Sequence, residues 1–317
     1  MRKITTKKRI LFSFRGQVTI NGQIMSEKPG IFCAQNGQKI VGFRTACGGG
    51  QQDFLQFIKC GHCGLVIDQT TYEMSQEERS AYITKIHSAY LGQDENVDDP
   101  GWIERLDKQV LLLIQMFGNG IFNKNMRIAD YGCGDGKLSE YFRRYYESTV
   151  NGNTLNEENP VILKYDKFMR PEGDSTYLLD SEMKPGSFDA IVTCSVFEHL
   201  IGKRDIDEVL GLLNNNGILC LHTLVCEEVP CDPDWYYLLP DHVTLWTNKA
   251  MDYLYKDYGY SGCAYNIEAR MWFFFKDKTQ FDKLYANKDK ITGTWVFSNN
   301  FVDYWKKKPY RQSVFEN

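Results

Sequence analysis

"IADYGCGDG", residues 128–136, decides how this chain folds. A short apolar run ends in Asp130 and is followed by three glycines at alternate positions, Gly132, Gly134 and Gly136. Glycine lets the chain turn tightly and lets a ligand come close to the backbone, so the stretch predicts a strand, a binding loop and the start of a helix. Its spacing differs from the G-x-G-x-x-G pattern of dinucleotide-binding folds.

From about residue 127 onward, strand-like and helix-like segments alternate along the chain. The helices expected are "KLSEYFRRYYES", "KRDIDEVLGLLNNNG", which ends at Gly217, and "TNKAMDYLYKDYGY". The strands expected between and after them are "PVILKYD", "STYLLD", "SFDAIVTC", "ILCLHTL" and two within "GCAYNIEARMWFFFK". Such alternation predicts a parallel α/β sheet covered by helices on both faces.

These features together resemble the class I S-adenosylmethionine-dependent methyltransferases over roughly residues 127–275. The resemblance implies a Rossmann-like, mostly parallel sheet of seven strands with helices on both faces, and S-adenosylmethionine as the methyl donor. It also implies that an acid ending the second strand holds the ribose hydroxyls and that a later acid, either Asp180 or its rival Asp174, contacts the adenine. The residues expected to bind the donor are Asp130, Gly132, Cys133, Gly134, Gly136, Asp166, Asp180 and Ser195.

The remaining segments complete a division into four parts. Residues 1–74 contain strand-like runs separated by glycine turns and predict a β-rich accessory domain. Residues 75–120 predict a helical segment, and residues 121–278 the methyltransferase domain. Residues 279–317 are expected to form a C-terminal tail.

A Cys-x-x-Cys pattern followed by glycine, "KCGHCG", lies in the accessory segment and is typical of a zinc knuckle. A zinc ribbon needs a second pair of ligands, and this segment holds two further cysteines. The cysteines concerned are Cys33, Cys47, Cys60 and Cys63. We expect them to form a structural, ribbon-like zinc site, or else to be thiols without metal; His62 and His87 are candidate substitutes for a ligand.

Glu198 and His199 follow the predicted strand "SFDAIVTC", at the sheet edge where donor and acceptor should meet. His222 ends the next strand and His242 lies in the loop after it. A hydroxyl acceptor must lose its proton to a base or be polarised by a metal. We therefore expect these four residues to be catalytic. The alternative is that the glutamate caps a helix and that His199 only packs beneath the substrate.

One branch of the family that the chain resembles, the small-RNA 2′-O-methyltransferases, carries E-x-x-E-H at this place. A further histidine follows the next strand, and these residues together bind a divalent metal. Here Ser195 stands in place of the first glutamate, so that only Glu198, His199 and His222 match. The pattern therefore favours a histidine base over a divalent metal on these three residues.

Composition excludes several classes of protein. With 43% hydrophobic and 25% charged residues, the chain has the balance of an ordinary globular protein. A net charge of −4 argues against a broad nucleic-acid surface. No apolar stretch reaches the roughly 20 residues of a membrane span. Since no secretory signal is recognisable, the ten cysteines are expected to be reduced and the protein cytoplasmic. The sequence carries no signal for an oligomeric state.

Residues 227–251 are unusually rich in Trp, Tyr and Pro, and they should cover the acceptor or simply pack as a lid. Aromatic faces suit stacking on sugar rings or bases. The stretch looks similar to methyltransferases of bacterial polysaccharide and sugar-nucleotide pathways. That resemblance implies a small-molecule acceptor, methylated at a hydroxyl of a sugar, sugar nucleotide or polysaccharide precursor. The alternatives are an RNA methyltransferase and a non-catalytic binding protein on the same fold.

Overall fold

The computed structural model of this chain describes residues 12–13, 17–18, 38–45, 52–87, 101–149, 160–230, 235–239 and 241–304. Its strands are β1 (Phe12–Ser13), β2 (Gln17–Val18), β3 (Gln38–Thr45), β4 (Gln52–Lys59), β5 (Val66–Asp68), β6 (Ile128–Tyr131), β7 (Ile162–Tyr165), β8 (Phe188–Cys194), β9 (Leu213–His222), β10 (Val225–Cys226), β11 (Thr244–Thr247), β12 (Gly262–Asn266), β13 (Met271–Phe275) and β14 (Trp295–Ser298). Its helices are α1 (Gln69–Tyr72), α2 (Gln76–His87), α3 (Trp102–Gly118), α4 (Lys137–Thr149), α5 (Lys203–Gly211), α6 (Asn248–Asp257) and α7 (Lys278–Ala286). Among these described helices, none is long and apolar enough to cross a membrane.

Four parallel strands form one half of a seven-stranded sheet, whose order is β14-β12-β13-β9-β8-β6-β7. β6 pairs in parallel with β7 and β8, and β8 with β9. Because parallel strands end at one edge, Tyr131 finishes beside Tyr165, and Cys194 beside His222. This mixed sheet of seven strands with flanking helices confirms the predicted Rossmann-like α/β architecture.

The seventh strand comes from a segment that the sequence assigns to the tail. β13 pairs antiparallel with β9, and β12 lies antiparallel between β13 and β14. The predicted strand "STYLLD" is reduced to one bridge between Tyr177 and Lys164. The tail boundary at residue 278 thus differs from the structure, because Trp295 and Phe297 pack against the core of the sheet.

Helix α5 is shorter than the sequence predicts. It ends at Gly211, and "NNNG", expected to finish the helix at Gly217, lies in β9 instead. Asn214 Nδ2 donates to Asp189 Oδ1 at 2.8 Å, and Asn216 N donates to Asn214 Oδ1 at 2.9 Å. The contact between Asn214 and Asp189 holds the start of β9 beside β8. A continuation of α5 would not place Asn214 next to β8.

Successive residues of the strands face opposite helix layers, as the alternation of a pleated strand requires. Ile128 and Phe273 pack in the core beneath α3, α4 and α7. Their neighbours Ala129 and Phe274 belong to the core beneath α5 and α6. Helix α3, which lies in the predicted separate helical segment, is therefore part of one layer of this domain.

A second sheet joins the front of the chain to its second half, in the order β10-β11-β5-β4-β3. β11 pairs antiparallel with β5, and Asp68 N donates to Val243 O at 2.8 Å. Thr247 Oγ1 donates to Cys63 O at 2.5 Å. The segment that the sequence divides off as an accessory domain at residue 74 thus shares a sheet with strands far along the chain.

Helix α7 packs so closely on β12 that Gly262 has no room for a side chain. A Cβ at this position would lie 2.3 to 2.6 Å from atoms of Phe281. We predict that Gly262→Ala lowers the free energy of unfolding by about 1–3 kcal/mol, measured by urea denaturation, because overpacking forces the helix from the sheet. Gly211→Ala is the control, since a Cβ there meets nothing within 4 Å. Equal stability of Gly262→Ala and wild type would contradict this packing.

Candidate functional site

The loop between β6 and α4 holds three glycines in the left-handed region, and two of them also lack room for a side chain. Gly132 has φ of 70° and Gly136 has φ of 78°. A Cβ at Gly132 would lie 2.6 Å from Val196 Cγ2, and one at Gly136 would lie 2.5 Å from Lys164 Cδ. The loop is therefore packed closely against β7 and against the turn that follows β8.

The carboxylate of Asp166 connects this loop to the end of β7. Its Oδ2 accepts from Gly134 N at 2.9 Å, while its Oδ1 accepts from Phe168 N at 2.8 Å and Met169 N at 2.7 Å. Backbone N–H groups that point at a carboxylate form strong, charge-assisted hydrogen bonds. Asp166 thus fixes both the glycine loop and the turn that follows its own strand.

Asp130 ends the apolar core of β6 as a buried carboxyl, and Ser139 Oγ donates to its Oδ2 at 3.4 Å. Burial raises the pKa of Asp130 from 3.8 to about 7, and the negative charge of Asp166 acts in the same direction. A buried carboxyl of this kind is best satisfied by a ligand that brings a positive charge.

One cavity of about 640 Å³ opens at the carboxyl edge of the parallel strands. Of the residues expected to bind the donor, those that line it are Asp130, Gly132, Cys133, Gly134, Asp166 and Ser195. Gly136 and Asp180 are not in the lining. The Asp180 carboxylate instead accepts from Tyr165 Oη at 3.3 Å, and its rival Asp174 accepts from Thr176 N at 2.8 Å.

Glu198 also lines this cavity and is buried, with 2% of its surface exposed. Thr223 Oγ1 donates to its Oε2 at 2.7 Å and Tyr237 Oη donates to its Oε1 at 2.8 Å. Burial raises the pKa of Tyr237 well above its ordinary value, and the Glu198 charge adds to this. Tyr237 therefore keeps its proton and remains a donor to the carboxylate.

All three expected histidines line the cavity, and each uses Nδ1 in the same way. The Nδ1 atoms of His199, His222 and His242 lie 2.8, 2.7 and 2.9 Å from the backbone carbonyls of Asp241, Arg270 and Tyr237 respectively. A carbonyl oxygen only accepts, so the carbonyl partners assign a proton to each Nδ1. In the neutral tautomer each Nε2 then carries a lone pair.

The charge state of two of these rings follows from their surroundings. Burial lowers the pKa of His222 well below its ordinary value, and the charge of Arg105 acts in the same direction. Burial also lowers the pKa of His242, despite the opposing charge of Asp241. Both rings are therefore neutral near pH 7.

The group of residues that could hold a metal differs from the one the sequence suggests. Glu198, His199 and His242 offer ligand atoms that all lie within 4.8 Å of one another. His222 is not in this group, although the sequence pattern matched it to the metal-binding histidine. The reason is topological, because His222 ends β9 and is tied to the Arg270 carbonyl, whereas the 241–242 turn folds back over Glu198.

Ser195 has a left-handed backbone, with φ of 55°, which is costly for a residue other than glycine and is concentrated at functional sites. Its N–H donates to His222 O at 2.9 Å, so that the turn begins where β8 and β9 end together. This turn directs the next residues back over the cavity and so places Glu198.

Several cavity residues were not expected from the sequence. Gln109, on α3, is buried and donates from Nε2 to Ala269 O at 3.1 Å. Arg105 on the same helix and Arg270 near β13 also line the cavity. These residues reach the cavity because α3 packs against the sheet edge. That packing is a contact between segments far apart in sequence, so no local pattern predicts it. Tyr237 lay inside the aromatic stretch, but no local pattern singled it out.

Of the four cysteines expected to bind zinc, Cys33 and Cys47 lie outside the described residues. Cys60 and Cys63 are both buried in a tight turn, in which His62 N donates to Cys60 Sγ at 3.4 Å. Gly64, directly after the turn, has φ of 74°. The expected substitute His62 is held elsewhere, with Nε2 2.7 Å from Tyr253 Oη.

Comparison with known proteins gives one family. A family model described as "Methyltransferase domain" matches residues 102–264. Two curated proteins, the cyclopropane-fatty-acyl-phospholipid synthases of Escherichia coli strain K12 and strain O6:H1, are each 33% identical to this chain over 125 residues. The match covers 37% of this chain and 31% of theirs, so the chain spans about a third of the length of these relatives.

Solved structures show a distant likeness. A magnesium protoporphyrin IX methyltransferase from Synechocystis PCC 6803 with bound SAH has 12% identity and a TM-score of 0.36, with 63% of this chain and 98% of that chain covered. A SAM-dependent methyltransferase from Aquifex aeolicus has 12% identity and a TM-score of 0.31, with coverage of 62% and 96%. A likeness at this level says nothing of substrate or partner.

The raised pKa of Asp130 predicts how stability depends on pH. The folded chain keeps on Asp130 a proton that the unfolded chain releases near 3.8, so this contribution is complete below that value and is lost as the pH rises through about 7. We predict that Asp130→Asn, which is always neutral, becomes more stable than wild type by up to a few kcal/mol above about pH 7, at about 1.4 kcal/mol per pKa unit.

Urea unfolding at a series of pH values measures this difference. The exposed substitution Asp289→Asn is the control and should retain the wild-type pH dependence. Superimposable curves for wild type and Asp130→Asn would show that the buried carboxyl is not protonated in the folded chain.

Proposed function

The chain belongs to the methyltransferase family whose domain model matches residues 102–264, and from this premise we propose that it transfers a methyl group from S-adenosylmethionine to a hydroxyl of a small, sugar-type acceptor. One observation carries the proposal. The glycine loop with its two acids and the group of Glu198 and three histidines (the rim) line the same cavity.

The loop side of the cavity fits the donor in size and charge. About 640 Å³ is within the usual range for a pocket that binds a nucleotide-sized ligand. Asp130 would receive the donor's amino group, and Asp166 its ribose hydroxyls, since Oδ2 of Asp166 has a further lone pair beyond its bond to Gly134. When bound, S-adenosylmethionine supplies a methyl group on a positively charged sulfur.

The chain's own residues align the acceptor, exclude water and take up a proton. Tyr236, Tyr237 and Leu239 cover the cavity from the stretch that follows β10. A neutral imidazole Nε2, which His222 and His242 both present, can accept the proton that a hydroxyl gives up. Glu198, fixed by its two hydroxyl donors, orients the acceptor at this rim.

A sugar-type acceptor is supported by the aromatic side chains of the lining. An aromatic face stacks on the apolar face of a sugar, and a tyrosine hydroxyl bonds to the hydroxyls at its edge. The aromatic residues of the lining are Trp102, Tyr131, Phe168, Tyr236, Tyr237, Tyr265 and Tyr304.

Two other acceptors deserve comparison. RNA is opposed by the net charge of −4, which gives little attraction for phosphates. A lipid acceptor is favoured by the 33% identical match to synthases that modify fatty-acyl phospholipids. The polar rim opposes it, because buried polar groups left unpaired by a hydrocarbon chain are costly. A non-catalytic binding protein is opposed by the intact loop and rim together.

We also propose a structural zinc on Cys33, Cys47, Cys60 and Cys63 and a cytoplasmic location. The N–H to Sγ contact within the Cys60–Cys63 turn and the left-handed glycine after it support the zinc, because they shape the turn as one half of a tetrahedral thiolate site. The cytoplasmic location is supported by several described cysteines that form no disulfide, among them Cys133, Cys194, Cys220 and Cys263.

The proposed function predicts both binding and transfer. Calorimetry should show one S-adenosylmethionine per chain, and Asp166→Asn should weaken binding at least about ten-fold, because an amide presents a donor to backbone N–H groups and loses charge-assisted bonds. Asp180→Asn is the matched control, since that carboxylate lies outside the cavity lining.

Transfer from labelled donor is then measured against sugar nucleotides, total RNA and phospholipid vesicles. Label should enter the sugar fraction and disappear with Asp166→Asn. Label in RNA or in lipid would overturn the sugar-type acceptor. Wild-type protein that binds no donor would overturn the whole function.

The zinc proposal predicts one zinc per chain by elemental analysis, lost in Cys60→Ser and Cys63→Ser because a three-thiolate site binds more weakly. His62→Gln should keep the metal, as the ring of His62 is engaged with Tyr253. Thiol titration of the unfolded, metal-free chain should count all ten cysteines. Purified protein that contains no zinc would contradict the zinc site. Fewer than ten titrated thiols would contradict the reducing compartment.

A further inference from the structure

Glu198, His199 and His242 have the chemistry and spacing of an open metal site. Their ligand atoms lie within 4.8 Å of one another, and no second group of this kind occurs among the residues that the structure describes. Nitrogen and oxygen ligands of one ion, each about 2.0–2.2 Å from it, lie within about 4.4 Å of one another. Small side-chain rotations are enough to close the difference.

The two imidazoles already make the second hydrogen bond that metal-ligating histidines make. A ligating histidine commonly donates its other ring N–H to a carbonyl, which fixes the ring and its tautomer. His199 makes this bond to Asp241 O at 2.8 Å and His242 makes it to Tyr237 O at 2.9 Å. Both rings can therefore coordinate through Nε2 without breaking a hydrogen bond.

The negative charge of the cluster also favours the binding of a cation. Glu198 is almost fully buried, and no lysine or arginine of the described chain forms an ion pair with it. Its two hydroxyl donors leave lone pairs on both carboxylate oxygens. Asp241, a second buried carboxyl, has Oδ2 3.8 Å from His199 Nδ1. A buried carboxylate such as that of Glu198 is favoured by a bound cation.

Backbone and side-chain contacts hold the three ligands in place. Thr244 N donates to Glu198 O at 2.9 Å, and Thr244 Oγ1 donates to Leu200 O at 2.5 Å. These bonds tie the segment that carries His242 to the one that carries His199. The site is thus built from two segments fixed against each other, which is what selective metal binding requires.

We propose that Glu198, His199 and His242 bind one divalent cation, and that the acceptor hydroxyl occupies its open position. This inference rests on the proposed function and specifies how the acceptor hydroxyl would be activated. A cation there lowers the pKa of the hydroxyl. The hydroxyl oxygen bonds to the methyl carbon, the carbon–sulfur bond breaks with its electron pair left on sulfur, and the proton passes to Nε2 of His222.

The test uses Mn²⁺ as probe, because this ion prefers oxygen and nitrogen ligands to thiolates and so avoids the front cysteines. Electron paramagnetic resonance of the free ion, in a titration of the full chain, should show one bound Mn²⁺. His242→Gln and His199→Gln should each weaken binding at least ten-fold. His199 is only half-buried, so its variant tests the site even if His242→Gln does not fold.

His222→Gln is the matched control and should bind Mn²⁺ as wild type does, since His222 lies in the same cavity outside the cluster. Wild type that binds no Mn²⁺, or equal weakening by His222→Gln and His242→Gln, overturns the site. Calorimetry with S-adenosylmethionine on the same samples separates the two proposals. Retained donor binding with no Mn²⁺ binding removes the cation alone, whereas absent donor binding removes the proposed function.

Discussion

Three backbone N–H groups converge on the carboxylate of Asp166, and the glycine-loop side of the cavity depends on that convergence. It joins the glycine loop to the end of β7, although the two are some 30 residues apart in sequence, at Gly134 and Asp166. It also fixes a negative charge near Asp130, which adds to the effect of burial on the pKa of that carboxyl. A positively charged ligand would favour the ionised form of Asp130, and this supports the proposed binding of a cationic donor at the strand ends.

The sheet explains why two acids and three histidines can share one cavity. Parallel strands with helices on both faces leave only their ends open to a ligand, and the carboxyl ends of β6, β7, β8 and β9 all point to the same edge. Helix α3 closes this edge from the side with Arg105 and Gln109. Distances along the chain between these groups are long, but the strand register makes them neighbours.

Much of this arrangement could be predicted from the sequence, and the failures share a cause. The glycine loop, the order of the strands and the positions of Glu198 and His199 follow from local patterns. His242, and not His222, joins Glu198 and His199, because the 241–242 turn folds back over Glu198. The spacing of residues along the sequence does not predict this turn. Likewise, the sequence does not predict β14, because its aromatic residues show no recognisable strand pattern. Its pairing with β12, and the packing of Phe281 of α7 on Gly262, are contacts between distant segments.

The front segment acquires a role once the second sheet is considered. β5 pairs with β11, directly after the turn that carries His242, and Asp68 N donates to Val243 O. The last residue of the Cys60–Cys63 turn takes part in this support, because Thr247 Oγ1 donates to Cys63 O. A change in the conformation of the Cys60–Cys63 turn would weaken the contacts that hold β11 beside β5. It would therefore also disturb the position of His242. The β-rich segment therefore supports the part of the cavity wall that carries His242, because β5 pairs with β11 directly after this residue.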